Sequence, residues 1–130
     1  MAVGVLLVTH PGIGGALLDT ATRLLGTLPL PAAAFELPFE ADPAALLPAA
    51  SAALRRVQGE DGVLLLTDVY GASPARLALQ LARIAAPCRR VAGLSLPMLL
   101  RVMNYGEQGL DELARTAANG GRNGVVVDDA

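Results

Sequence analysis

The only histidine of the chain, His10, ends an apolar run and begins a glycine-rich one: Val8 to Leu18 reads VTHPGIGGALL. A second apolar run, VLLLT over Val63 to Thr67, exits in the same way into Asp68 and then Val69-Tyr70-Gly71-Ala72-Ser73-Pro74. An imidazole and a carboxylate brought together in this way form a defined chemical unit. The carboxylate of Asp68 accepts Nδ1–H of His10, which fixes the tautomer and leaves Nε2 as a nucleophile. It also stabilises the positive ring formed when Nε2 is modified, as the base and orienter of a catalytic triad do, here without a serine. The flanking residues indicate what Nε2 would carry. Gly12, Gly14 and Gly15 lead into one helix, and Gly71, Ala72 and Ser73 lead into another. Helix N-termini present unpaired N–H groups and the positive end of the macrodipole, so two of them beside an imidazole make an anion site. A phosphoryl group on Nε2 would be held by main-chain amides of both loops (Gly12 on one side, Gly71 and Ala72 on the other) and by the Ser73 hydroxyl. Ser73 is also the natural N-cap of its helix, and the two roles are compatible.

These residues need a scaffold that brings distant segments to one edge. Val3–Val8 and Val63–Thr67 read as strands buried on both faces, as in a parallel sheet. Ala32–Leu37 is a weaker strand, Val91–Leu96 a fourth, and Val125–Val127 a short C-terminal one. Between them, helical spacing runs over Ala16–Leu28, from the Asp42-Pro43 start to about Val57, over Ala75–Ala86, from Pro97 to about Asn104, and over Glu107–Ala118. Pro48 is expected to delay or kink the second of these helices, Pro87 ends the third, and Asn119-Gly120-Gly121 ends the last. Strands and helices alternate. The expected fold is therefore an α/β, open, doubly wound, mostly parallel sheet of four strands plus the C-terminal one, with helices on both faces. In such sheets ligands sit at the strand C-termini, where the strand order reverses. His10 follows the first strand and Asp68 the third, so both stand on that edge.

Composition narrows the function. A chain of 130 residues with 53% hydrophobic content is expected to form one domain, residues 1–130. No apolar run reaches membrane-helix length, and the opening MAVGVLLVTH lacks the basic and small-residue marks of a signal peptide, so a cytosolic protein is expected. A net charge of −2 argues against nucleic-acid binding. All ten basic residues are arginine, so a P-loop lysine or a Schiff-base lysine is excluded. Cys88 is the single cysteine, forms no internal disulfide and reads as a small, inert side chain. No cofactor and no metal is expected. A receiver domain phosphorylated on Asp68 would need an acidic cluster after the first strand and a later lysine, and has neither. A dinucleotide fold would need G-x-G-x-x-G, which Gly12, Gly14 and Gly15 do not spell.

V-T-H-P-G before a helix, together with L-L-L-T-D-V-Y-G-A-S-P, resembles the IIA domains of the mannose family of the bacterial phosphotransferase system. L-S-L-P-M-L-L at Leu94–Leu100 and G-R-N-G-V up to Val125 extend the likeness across the chain. The resemblance implies phosphorylation of His10 with Asp68 as its partner carboxylate and Ser73 in contact with the phosphoryl group. It implies the histidine phosphocarrier protein as donor, a IIB domain as acceptor, and a membrane link only through a transporter complex. It also implies a homodimer in which the C-terminal strand crosses to the partner; pairing of that strand within its own subunit is the alternative. Ile13, Pro97 and Met98 would form an apolar collar for docking, against the simpler reading of ordinary core. Pro11 and Ala72 stand where family members commonly carry glycine, and would be strained if the backbone there needs positive φ. A regulatory protein that signals by its phosphorylation state, without sugar transport, is the second reading.

Overall fold

A computed structural model describes residues 2–85 and 87–129. The chain runs β1 (Gly4–Thr9), α1 (Gly14–Leu25), β2 (Ala32–Glu36), α2 (Pro43–Val57), β3 (Val63–Thr67), α3 (Ser73–Ile84), β4 (Cys88–Ala92), α4 (Leu96–Asn104) and α5 (Leu110–Asn123). The four strands form one sheet in the order β2-β1-β3-β4, and every pairing is parallel. Every residue of β1 and β3 is buried, which is why their sequences are unbroken apolar runs rather than alternating ones. Side chains still alternate in direction along each strand. Val5, Leu7, Leu64 and Leu66 join the core beneath α1, α4 and α5. Leu6, Val8, Val63 and Leu65 join the core beneath α2 and α3. Two apolar layers thus clamp the central strands, and each fully buried leucine adds about 1.5–3 kcal/mol to the clamp. Among the described residues no helix is long and apolar enough to cross a membrane.

Several boundaries differ from the sequence expectation, each for a local reason. Helix α1 ends at Leu25 and not at Leu28, because Gly26 adopts φ 83° and its N–H bonds Thr22 O. Helix α2 begins at Pro43 despite Pro48, with the Asp42 carboxylate accepting the Ala44 N–H. Helix α3 ends at Ile84; Ala86, the expected end, lies outside the described residues. Strand β4 starts three residues before Val91 and stops at Ala92, where Gly93 turns the chain with φ 89°. Being an edge strand, it leaves Arg89 and Arg90 exposed, and such charges are tolerated there. Helix α5 passes through Gly120 and Gly121 instead of stopping at them. These glycines serve packing: a Cβ on Gly120 would come within 2.6 Å of Arg101 Cβ, and one on Gly121 within 3.0 Å of Met98 Cε. The C-terminal strand is not formed. Val125, Val126 and Val127 lie outside any strand, with 81%, 76% and 85% of their surface exposed. A strand exists only through pairing, and β-propensity alone does not supply a neighbour.

Candidate active site

Strands β1 and β3 are adjacent, with Val8 opposite Thr67, and from this pair the sheet extends outward to β2 on one side and β4 on the other. The switch point therefore lies between them. His10 and Asp68 are the first residues beyond the two strands, and the register, which ends on Val8 opposite Thr67, brings them within one residue of each other. Asp68 Oδ2 accepts twice from His10: from its main-chain N–H at 2.9 Å and from ring Nδ1–H at 2.8 Å. An ionised carboxylate has only acceptors, so the hydrogen lies on Nδ1 and the lone pair of the neutral ring on Nε2. Asp68 Oδ1 accepts the Val69 N–H at 3.0 Å. Burial alone would push the Asp68 carboxyl up. The His10 main-chain N–H, the His10 ring and the Val69 N–H outweigh it and hold the group below its ordinary value. The Asp68 side chain is 9% exposed and that of His10 25%. The carboxylate sits behind, and the imidazole reaches the surface.

The two loops differ in what they offer an anion. At the start of α1 the amides of Gly12, Gly14 and Gly15 are already engaged. Glu36, the last residue of β2, accepts the Gly12 N–H at 2.9 Å with Oε1 and the Gly15 N–H at 2.8 Å with Oε2. These two amides lower the Glu36 pKa. Buried Thr9 Oγ1 accepts the Gly14 N–H at 2.9 Å and donates to His10 O at 2.8 Å. Gly12, expected to hold phosphate, thus has its N–H on Glu36. At the start of α3 no side chain of the N-cap residue caps the helix, and that residue is Ala72, not Ser73. Ser73 is the first helical residue, and its Oγ accepts from Arg76 Nη2 at 3.1 Å while Arg76 Nη1 donates to Gly71 O at 3.1 Å. The guanidinium therefore bridges Gly71 and Ser73 at the start of the helix. Since its donor bond takes a lone pair of Ser73, the hydroxyl hydrogen is free to donate elsewhere. Left-handed backbone occurs at Gly12 (φ 82°) and Gly71 (φ 87°), and no non-glycine residue among those described has positive φ. Pro11 and Ala72 are consequently unstrained.

A third wall comes from the loop after β2. The Phe39 ring stacks on the His10 ring, with centroids 5.6 Å apart and planes inclined by 28°. Phe39 is nonetheless 74% exposed, and Ile13, Val69 and Tyr70 also present apolar surface in the two loops. Of the expected docking residues, Ile13 is exposed and Pro97 is exposed. Met98 is 3% exposed and belongs to the core with Leu99, so it has no face to offer a partner. Sequence reasoning passed over Glu36, Phe39 and Arg76. For Arg76 a signal existed: an arginine three residues after Ser73 lies on the same face of the first helical turn. Among the described residues no group of three or more metal-ligating side chains occurs. Burial pushes the Cys88 thiol up, away from thiolate reactivity.

The fold and site can be set beside known proteins. A family model described as the PTS system fructose IIA component, EIIA-man, matches residues 4–117. No curated protein matches the chain. Among solved structures, the mannose/sorbose specific IIA subunit of the phosphotransferase system from Enterococcus faecalis superposes with TM-score 0.87 at 24% identity, covering 100% of this chain and 97% of that one. Phosphotransferase system component EIIA from Streptococcus agalactiae gives TM-score 0.82 at 18% identity, covering 96% of each chain. A sigma-54 interaction domain protein from Enterococcus faecalis gives 0.75 at 18% identity, covering 94% of this chain and 92% of that one. At these identities the structural likeness speaks for the fold.

Proposed function

The chain belongs to the EIIA-man family of phosphotransferase-system IIA components, and on that premise we propose that it is a phosphohistidine carrier, acting as one unit over residues 1–130. The histidine phosphocarrier protein donates a phosphoryl group to Nε2 of His10, and a IIB component receives it. The lone pair of Nε2 attacks phosphorus in line with the donor's P–N bond. That bond breaks with its electron pair going to the donor nitrogen, and the donor ring, protonated on its second nitrogen, departs neutral. His10 keeps its Nδ1 proton, so its ring becomes positive beside the Asp68 carboxylate. Transfer to IIB runs the same step in reverse. The chain's part is positioning and charge stabilisation. The α3 end receives the phosphoryl oxygens, through the amides of Gly71 and Ala72 and the Ser73 hydroxyl, because Glu36 already holds the Gly12 amide.

The observation that carries this reading is the 2.8 Å contact from Nδ1 to Asp68 Oδ2, made by a ring that still reaches solvent. The exposed loop residues Ile13, Val69 and Tyr70 support docking of a carrier around His10, and Pro97 lies farther along the chain at the start of α4. The exposed valine tail and the outer edge of β4 support a homodimer by strand exchange, the tail of each subunit finding the strand neighbour that it lacks within its own. Such a relay works in the cytoplasm, next to the phosphoenolpyruvate that drives it. Incubation with a phosphoenolpyruvate-charged phosphocarrier should add one acid-labile phosphoryl group, mapped to His10 and absent from His10→Ala. Phosphate accepted by His10→Ala overturns the reading.

A second reading has a specific support, the shared fold with a sigma-54 interaction domain protein. A phosphoryl group on His10 would then change which partner binds, through its charge, without sugar transport. Partner capture with phosphorylated and unphosphorylated protein separates the two: a partner that discriminates between the forms, with no IIB acceptor competent for transfer, favours regulation.

A further inference from the structure

Aromatic residues on a surface usually have no defined partner, but Phe39 has the reactive ring of His10. We propose that Phe39 is a positioning residue for phosphoryl transfer, holding the imidazole plane so that the Nε2 lone pair points along the line of attack. The inference rests on phosphorylation of His10, and it adds a residue to that reaction which neither the family motif nor the sequence periodicity marks. Three observations carry it. First, the stack is geometric: centroids at 5.6 Å and planes within 28° set one face of the imidazole against an aromatic face. Second, Phe39 has little structural work to do. With 74% of its surface exposed, it forfeits most of the burial that would explain a phenyl group by core packing. Third, the chain just before it is held in place from the site itself. Glu36 bonds the Gly12 and Gly15 amides, and the Leu37 N–H bonds Thr9 O at 2.9 Å, which ties the loop to the residues on both sides of His10.

The torsions of histidine leave the ring a motion that a face-on neighbour can remove. Rotation about χ2 is broad and roughly two-fold. The Asp68 bond to Nδ1 selects one of the two orientations but leaves the ring free to rock about that contact. A face-on neighbour removes the rocking. Because the attacking lone pair lies in the ring plane, a tilt of the plane moves it off line, and small misplacements are costly in transfer reactions. Asp68 and Phe39 thus act on different motions of the same ring.

The test is a series at position 39 with readouts that a structural role would leave alone. In the intact protein, Phe39→Leu keeps the apolar volume and loses the ring, and Phe39→Tyr keeps the ring. Single-turnover transfer from phosphorylated carrier should slow about 2- to 10-fold at saturating donor in Phe39→Leu, the range an aromatic pair supplies. Phe39→Tyr should restore it, with melting temperatures alike across the series. Proton NMR should show the His10 Hδ2 and Hε1 signals moving downfield in Phe39→Leu as the ring-current shift is lost, whether or not the protein is phosphorylated. Equal maximal rates for Phe39→Leu and the parent, a change in KM alone, or unmoved His10 signals would each overturn the proposal. Failure of the parent itself to accept phosphate on His10 would instead overturn the functional reading on which it rests.

Discussion

Replacing Asp68 by asparagine removes one charge and keeps the shape, and the geometry sets what should follow. Oδ2 takes two hydrogen bonds from His10 and Oδ1 takes one from Val69. In Asp68→Asn, an amide oxygen facing His10 leaves the NH₂ facing the Val69 N–H, two donors opposed. The flipped amide instead donates to Nδ1 and drives the hydrogen onto Nε2, which ends its nucleophilicity. Either way the positive ring formed on phosphorylation loses its counter-charge. A hydrogen bond to a charged group is worth about 1.5–3 kcal/mol, and the pair is 9% and 25% exposed, so screening is incomplete. A loss of about 2 kcal/mol in the transition state corresponds to transfer about 30-fold slower. Rapid-quench transfer from phosphorylated carrier, at saturating donor, measures it directly. The fold should survive, since no core side chain changes. The parent's Asp68 pKa is depressed in the folded state. Its contribution to stability is present above the unfolded value of about 3.9 and is lost as pH falls through the folded value. Asp68→Asn should erase that part of the acid transition. A variant that transfers within twofold of the parent would show that the carboxylate is a bystander.

Two further outcomes test the surroundings. Glu36→Gln should destabilise the protein by about 1 kcal/mol in urea titration, a helix-cap effect reduced by exposure, and should lower hydrogen-exchange protection of the Gly12 and Gly15 amides; unchanged protection would dismiss the clasp. Because the Glu36 pKa is lowered in the fold, the clasp should weaken as pH falls through it. Gly120→Ala sets helix propensity against packing: alanine gains about 1 kcal/mol in a helix interior, but its Cβ would stand 2.6 Å from Arg101 Cβ, an overpacking cost of about 1–3 kcal/mol. The net change should be destabilising, and a raised melting temperature would mean that α4 and α5 do not pack as described.

The central strands, and the sheet edge on which His10 and Asp68 both stand, were legible because their causes are local and repeated; that the two residues meet depends on β1 lying beside β3. Unbroken apolar runs mark central strands, and the residues just beyond two adjacent parallel strands must meet. Helix limits were less legible where a glycine had two possible uses. Gly26 breaks a helix and Gly120 joins two, and only the neighbour across the contact distinguishes them. The tail shows the limit of propensity: three valines favour a strand, but pairing needs a partner edge. Met98 carried the apolar signal of a docking residue and of a core residue alike, and burial decided for core. Glu36 and Phe39 were invisible for a different reason. Glu36 acts from the end of β2 and Phe39 from the loop after it; both depend on β2 lying beside β1, and no spacing in the sequence encodes that adjacency.

The central claim is that Asp68 occupies Nδ1 and so delivers Nε2 to the phosphoryl group. Nitrogen-15 NMR of histidine-labelled, phosphorylated protein tests it most directly. Phosphorus–nitrogen coupling is expected at Nε2, with a proton on Nδ1. Coupling at Nδ1, or a phosphoryl group on any other residue, would contradict it.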